Sequence, residues 1–157
     1  MMYIEVWTRA YPSESTERVL IAVKNVIPFD ENVDEVEISG ESVKEIRILS
    51  NRYECLMKLR DSLRSNKILD TARMLLKFNA HGDETRILLH KQAAFNGRVH
   101  LCETEEESPL GAIEVIIRAT GAINALIDWL APKTEKGRII KELSTEEFLS
   151  MIKDPGP

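Results

Sequence analysis

Between Ile87 and Ile117 the chain reads ILLHKQAAFNGRVHLCETEEESPLGAIEVII, and this block constrains the fold more than any other stretch. Two strand patterns run from Arg86 to Gln92 and from Arg98 to Glu103. Asn96-Gly97 lies between the two runs and suits the positive φ angles of a tight turn, so a hairpin around Phe95-Asn96-Gly97 is expected. An acidic loop follows, then Ser108-Pro109-Leu110-Gly111, then a third strand pattern from Ile113 to Ala119. Strands that return through turns form antiparallel sheets.

The remainder alternates between the two periodicities. Tyr3 to Thr8 reads as an opening strand that Tyr11-Pro12-Ser13 breaks. Ser13 or Ser15 then caps a helix to about Val26, with Glu14 and Glu17 near its positive end. Glu35 to Ser39 alternates and stops at Gly40, and Val43 to Leu49 alternates again. This is a plausible β-α-β start, with a right-handed crossover if the first two strands lie parallel. Arg52 to Arg64 places Leu56, Leu59 and Leu63 on one helical stripe. Asn66 is the expected N-cap of a second helix, whose apolar side is Ile68, Leu69, Ala72, Leu75, Leu76 and Phe78. Ile123, Leu126, Ile127 and Leu130 make an amphipathic helix ending before Pro132, Thr145 to Ile152 a short one, and 154–157 a frayed end. The expected class is α+β, a mostly antiparallel sheet with helices packed on one face, in a single domain spanning 1–157.

Composition narrows the function. At 157 residues the chain is about one domain long. No run approaches the ~18 apolar residues of a membrane span. The N-terminus does not read as a secretory signal, and Cys55 and Cys102 read as free thiols in a reducing cytoplasm. The net charge of −5 is uneven: residues 44–77 carry nine basic and four acidic side chains, whereas residues 1–43 carry three and nine. The basic segment is the one footprint suited to a phosphate-rich partner, although the acidic whole works against non-specific nucleic-acid binding.

The segments HKQAAFNGRVHL and SPLGAIEVII, with ILDTAR at 68–73 and IDWLAPKTEKG at 127–137, resemble the archaeal uncharacterised protein family 0201 over nearly the whole chain. Lys91-Gln92-Ala93-Ala94, Ser108-Pro109-Leu110-Gly111 and Trp129-Leu130-Ala131-Pro132 are the most specific pieces, and none is a catalytic signature. The resemblance implies a fold similar to ribosomal large-subunit protein five, an RNA-binding label, an archaeal cytoplasmic source and a homodimer.

Arg60, Arg64 and Lys67 at i, i+4 and i+7 would form one stripe on an unbroken helix, and Arg73 and Lys77 repeat the spacing. These five are the candidate RNA contacts, as phosphate binders rather than base readers. The blander reading is a solvated face, because Glu54–Lys58 and Asp61–Arg64 are helix pairs of about 0.2–0.5 kcal/mol that need no partner. A protein partner is equally consistent with the net charge. The alternative class is an enzyme or small-ligand binder using Lys91, Gln92 and His90, with His100 nearby. Lys91 is in phase with Ile87 and Leu89, whose face should be buried, so it is expected to pair with an acid or emerge past the sheet edge. Ala93 and Ala94 suggest a close approach by another segment, such as a partner subunit. His90, His100 and Cys102 lack a standard zinc spacing and a fourth ligand, so no metal is expected. Glu103, Glu105, Glu106 and Glu107 read as a solvated loop. No glycine-rich phosphate loop or nucleophile elbow occurs, and no cofactor is expected.

Overall fold

A computed structural model describes residues 1–152 and shows an α+β architecture built on a six-stranded antiparallel sheet. The strands are β1 (Met2–Ala10), β2 (Glu35–Ser39), β3 (Lys44–Ser50), β4 (Glu84–His90), β5 (Leu101–Cys102) and β6 (Ala112–Ala119), in the order β2-β3-β1-β6-β4-β5. A second, two-stranded ribbon pairs β7 (Thr134–Glu135) with β8 (Arg138–Ile139). The helices are α1 (Thr16–Val26), α2 (Met57–Ser65), α3 (Leu69–Phe78), α4 (Lys91–Phe95), α5 (Ile123–Leu130) and α6 (Thr145–Ile152). The reading of 154–157 as a frayed end falls outside the described residues.

β1 is central because it can bury one side completely. Met2, Ile4, Val6, Thr8 and Ala10 face the core, while Tyr3, Glu5, Trp7 and Arg9 face outward. Its register sets Val6 against Ile48 on one side and Val115 on the other. β2 and β1 are both antiparallel to β3, which lies between them, so β1-α1-β2 is a split crossover between parallel, non-adjacent strands. Gly40 turns β2 into β3 at φ +97, and a Cβ there would sit 2.2 Å from the Val43 carbonyl oxygen. The helices cover the inner face with Val19, Val23, Leu59, Leu63, Leu76, Leu126 and Trp129, all fully buried.

The outer face is bare and charged. Arg47 bridges Glu5 and Glu37, Arg86 meets Glu114, and Arg118 meets Glu84, each across neighbouring strands. Arg9 and Glu45 form a looser pair at 3.7 Å. No helix among the described residues is long and apolar enough to cross a membrane.

Three local expectations need correction. The direct Asn-Gly hairpin is replaced by α4: β4 and β5 do pair, at Leu88–Cys102 and Leu89–Leu101, but a helical turn lies between them. His90 caps that turn, its Nδ1 accepting from Ala93 N at 3.2 Å, and Gln92-Ala93-Ala94 are helix formers. Asn96 keeps φ at −96 and only Gly97, at φ 73, is left-handed. Asn66 caps the end of α2 instead of the start of α3, because Lys67 turns left-handed at φ 57 and breaks the path between the helices. Phe78 is 84% exposed, since Leu69, Ala72, Leu75 and Leu76 already define the buried side of α3.

Candidate functional site

The basic segment 44–77 divides into side chains with internal work and side chains without it. Arg60 Nε donates to the Trp129 carbonyl at 2.9 Å, Arg64 donates to the Trp129 and Leu130 carbonyls, and Arg73 donates to the Ala131 carbonyl at 3.0 Å. These carbonyls belong to the C-terminal end of α5, where helix geometry leaves oxygens unpaired and the dipole is negative. Arg60 and Arg64 share the carboxylate of Glu142, and Arg73 pairs with Asp128. Their side chains are only 13–19% exposed. Burial first, then the neighbouring Arg64 charge, pulls the Arg60 guanidinium below the usual arginine range. Its plane lies 5.2 Å from the centre of the Trp129 ring.

Lys67 and Lys77 are exposed, and neither has an acid within 4 Å among the described residues. The unbroken stripe through Arg60, Arg64 and Lys67 does not form, because the chain leaves the helix at Lys67. The structure therefore brings Arg60, Arg64 and Arg73 together beneath α5 and leaves Lys67 and Lys77 outside that cluster. Beside Lys77 stand the exposed side chains of Phe78 and Met74.

Lys91 lies at the opposite end of the sheet and is fully buried. Its ammonium donates to the Arg9 carbonyl at 2.7 Å, the Leu110 carbonyl at 2.5 Å and the Glu14 carboxylate at 3.1 Å. A lysine has three donors, and here all three are satisfied. Its backbone N–H donates to Ser108 Oγ at 2.9 Å, and the Tyr11 ring packs beside the ammonium at 5.5 Å. Lys91-Gln92-Ala93-Ala94 and Ser108-Pro109-Leu110-Gly111 thus meet at one point. The close approach expected at the alanines comes from α1 of the same chain: Ala94 is fully buried, and Asn25 Nδ2 donates to its carbonyl at 3.0 Å.

Gln92 and His90 do not converge with Lys91. They line a shallow depression of about 260 Å³ with Asn96, Arg98 and His100, from which Lys91 is absent. The His90 and His100 rings meet edge to face at 5.4 Å. Among the described residues no group of three or more His, Cys, Asp or Glu side chains is placed to hold a metal ion. Glu103, Glu105, Glu106 and Glu107 are exposed. Burial, with the charges of Glu107 and Glu105 behind it, pushes the Cys102 thiol up to about 11.

One polar cluster carries no sequence signature. Asp34, Ser50, Arg52 and Cys55 converge under β3, with Asp34 oxygens 2.6 Å from Ser50 Oγ and 2.5 Å from Arg52 Nη2. Burial pushes the Asp34 carboxyl up, but Arg52, Ser50 and the Asp30 backbone N–H outweigh it and hold the group at about 2. Burial likewise raises the Cys55 thiol. The cluster draws on a loop residue before β2, the end of β3 and the turn after it, so local spacing could not have found it.

A family model described as RNA binding matches residues 3–119. A UPF0201 protein of Aeropyrum pernix is 38% identical over 143 residues, spanning 88% of this chain and 91% of that one. A UPF0201 protein of Sulfurisphaera tokodaii is 43% identical over 134 residues, spanning 85% and 88%. The 2.2 Å crystal structure of a UPF0201 protein from Methanococcus jannaschii superposes with a TM-score of 0.75 at 29% identity, covering 88% of this chain and 99% of that one.

Proposed function

The chain belongs to the archaeal UPF0201 family, and from that premise we propose that it is a non-enzymatic, homodimeric cytoplasmic interaction module that contacts RNA through phosphates. The observation that carries this reading is the exposed end of α3. Lys77, at the C-terminal end of α3, and Lys67, in the turn before its opposite end, are cations without an acidic partner among the described residues, and Phe78 beside Lys77 offers a ring that is 84% exposed. Single-stranded bases stack on such rings for about 1–3 kcal/mol each, and lysines hold the backbone. Arg60, Arg64 and Arg73 reach phosphate only by giving up the α5 carbonyls, so they stand behind the two lysines in this proposal. A likeness to ribosomal large-subunit protein five belongs to the same proposal.

Self-association is supported by the β2 edge, where Ile38 is 46% exposed and the preceding Val33 65%. The alternative of an enzyme or ligand cleft on Lys91, Gln92 and His90 has Lys91 turned inward with its donors filled.

The test is binding to a labelled structured-RNA pool at two salt concentrations. Micromolar binding that falls steeply with salt is expected, and Lys67→Glu/Lys77→Glu should flatten the log–log salt slope by roughly two. Phe78→Ala should weaken binding to single-stranded regions. No binding at low salt, or binding indifferent to all three substitutions, overturns the RNA reading. Light scattering decides the dimer.

A further inference from the structure

The strongest unused feature is formed mostly by residues beyond 119, in the segment that packs beside α3 and α5. A cavity of about 440 Å³ opens there, lined by the apolar Ala125, Ile140, Leu143 and Met151 together with the paired Arg73 and Asp128 and the two lysines Lys133 and Lys141. Its size falls within the range of small-molecule sites. Ile140 and Met151 are 54% and 53% exposed, so the wall is apolar surface left open to solvent. Such surface, when concave, usually marks a contact.

The rim is positive in a chain whose net charge is −5. The acids nearest to it already have partners, and the two lysines outnumber what is left: Asp128, in the lining, is matched by Arg73, and Glu147 feels the Lys141 charge. Glu142, next to Lys141, turns to Arg60 and Arg64. Asp128 is paired with Arg73, and Glu147 accepts from Ser144 N at the start of α6. Neither Lys133 nor Lys141 has an acid within 4 Å among the described residues. The backbone bond from Ile140 N to the Lys133 carbonyl, at 3.0 Å, fixes an apolar wall residue opposite a rim cation.

We infer that this cavity binds a small amphipathic anion, a carboxylate carrying an apolar tail. The tail lies against Ile140, Leu143 and Met151, and the carboxylate is held by Lys133 and Lys141. This site shares only Arg73 with the RNA proposal, and none of its residues is Lys67, Lys77 or Phe78.

The test is calorimetric titration of the full chain with decanoate and, separately, with decylammonium, both below their micelle concentrations. The expected result is saturable one-site binding of decanoate and none of decylammonium. Lys133→Glu/Lys141→Glu should weaken decanoate at least about tenfold, as loss of two charge contacts implies. Ile140→Asp, at an exposed position that leaves the core intact, should do the same. Lys67→Glu/Lys77→Glu should leave decanoate binding unchanged. Equal binding of the two tail compounds, unchanged affinity in the rim variant, or no binding of decanoate overturns the inference.

Discussion

Replacing Lys91 by Met isolates what the buried ion pair contributes. Met fills nearly the same space, so packing is conserved. What disappears is the donor shared by Glu14 and the carbonyls of Arg9 and Leu110. The Glu14 side chain is only 8% exposed, so its carboxylate would be left without a counter-charge. Removing one member of a buried pair costs about 3–5 kcal/mol. The two stranded carbonyls add to this only where water cannot reach them, so about 4 kcal/mol is expected. Domains of this kind hold about 5–15 kcal/mol in total, which makes the loss a large share. With a urea slope of about 2 kcal/mol per molar, the unfolding midpoint should fall by about 2 M. Lys91→Met/Glu14→Gln should recover part of the loss, because Gln still accepts from Tyr11 N, as Glu14 does at 3.0 Å, without a stranded charge. A midpoint shift below about 0.5 M for Lys91→Met, or a double variant weaker than the single one, would refute the reasoning.

The Asp34 cluster sets an acid limit. Its carboxyl is held at about 2 against 3.8 for the ordinary group, so its contribution is complete above about pH 4 and is lost as pH falls toward 2. That contribution is about 2 kcal/mol, and Asp34→Asn should lower stability at pH 7 and flatten this part of the profile in urea titrations at stepped pH. Arg60→Ala should cost about 2 kcal/mol through the lost charged cap, whereas Lys67→Ala should stay within about 0.5 kcal/mol; equal effects in thermal melts would contradict the division made above. Ala94→Trp should lower the melting midpoint sharply, by overpacking the α1–α4 contact, without changing the oligomeric state.

The sheet was legible because its strands obey period two. Glu35–Ser39 alternates cleanly, Ile113–Ala119 is rich in β-branched residues, and the structure places strands at both. The burial of Lys91 followed from its phase with Ile87 and Leu89, but its acid partner lies 77 positions away and no local pattern names it. Phe78 misled because a helical wheel offers more apolar positions than the core can take. The Asn-Gly hairpin failed for a competing local reason, the cap that His90 provides to the following helical turn. The spacing of Arg60 and Arg64 correctly put them on one helical face. It could not reveal what that face meets, since the free carbonyls of a helix end are backbone groups and carry no residue signature.

The central position of β1 has a consequence for how the molecule is made. β1, which precedes the other strands of the sheet, pairs on one side with β3 and on the other with β6, where Met2 faces Ala119. Until the segment 112–119 has left the ribosome, one edge of β1 is unpaired. Closure over so long a loop is slow, and an open apolar strand invites pairing with other chains. Closure of this sheet is therefore expected only after β6 has emerged. A fragment ending at Gly111 should aggregate or stay protease-sensitive, while one ending at Ile152 should be resistant. A compact, protected 1–111 fragment in pulse proteolysis would mean that the amino-terminal half commits to its fold before its central strand is enclosed.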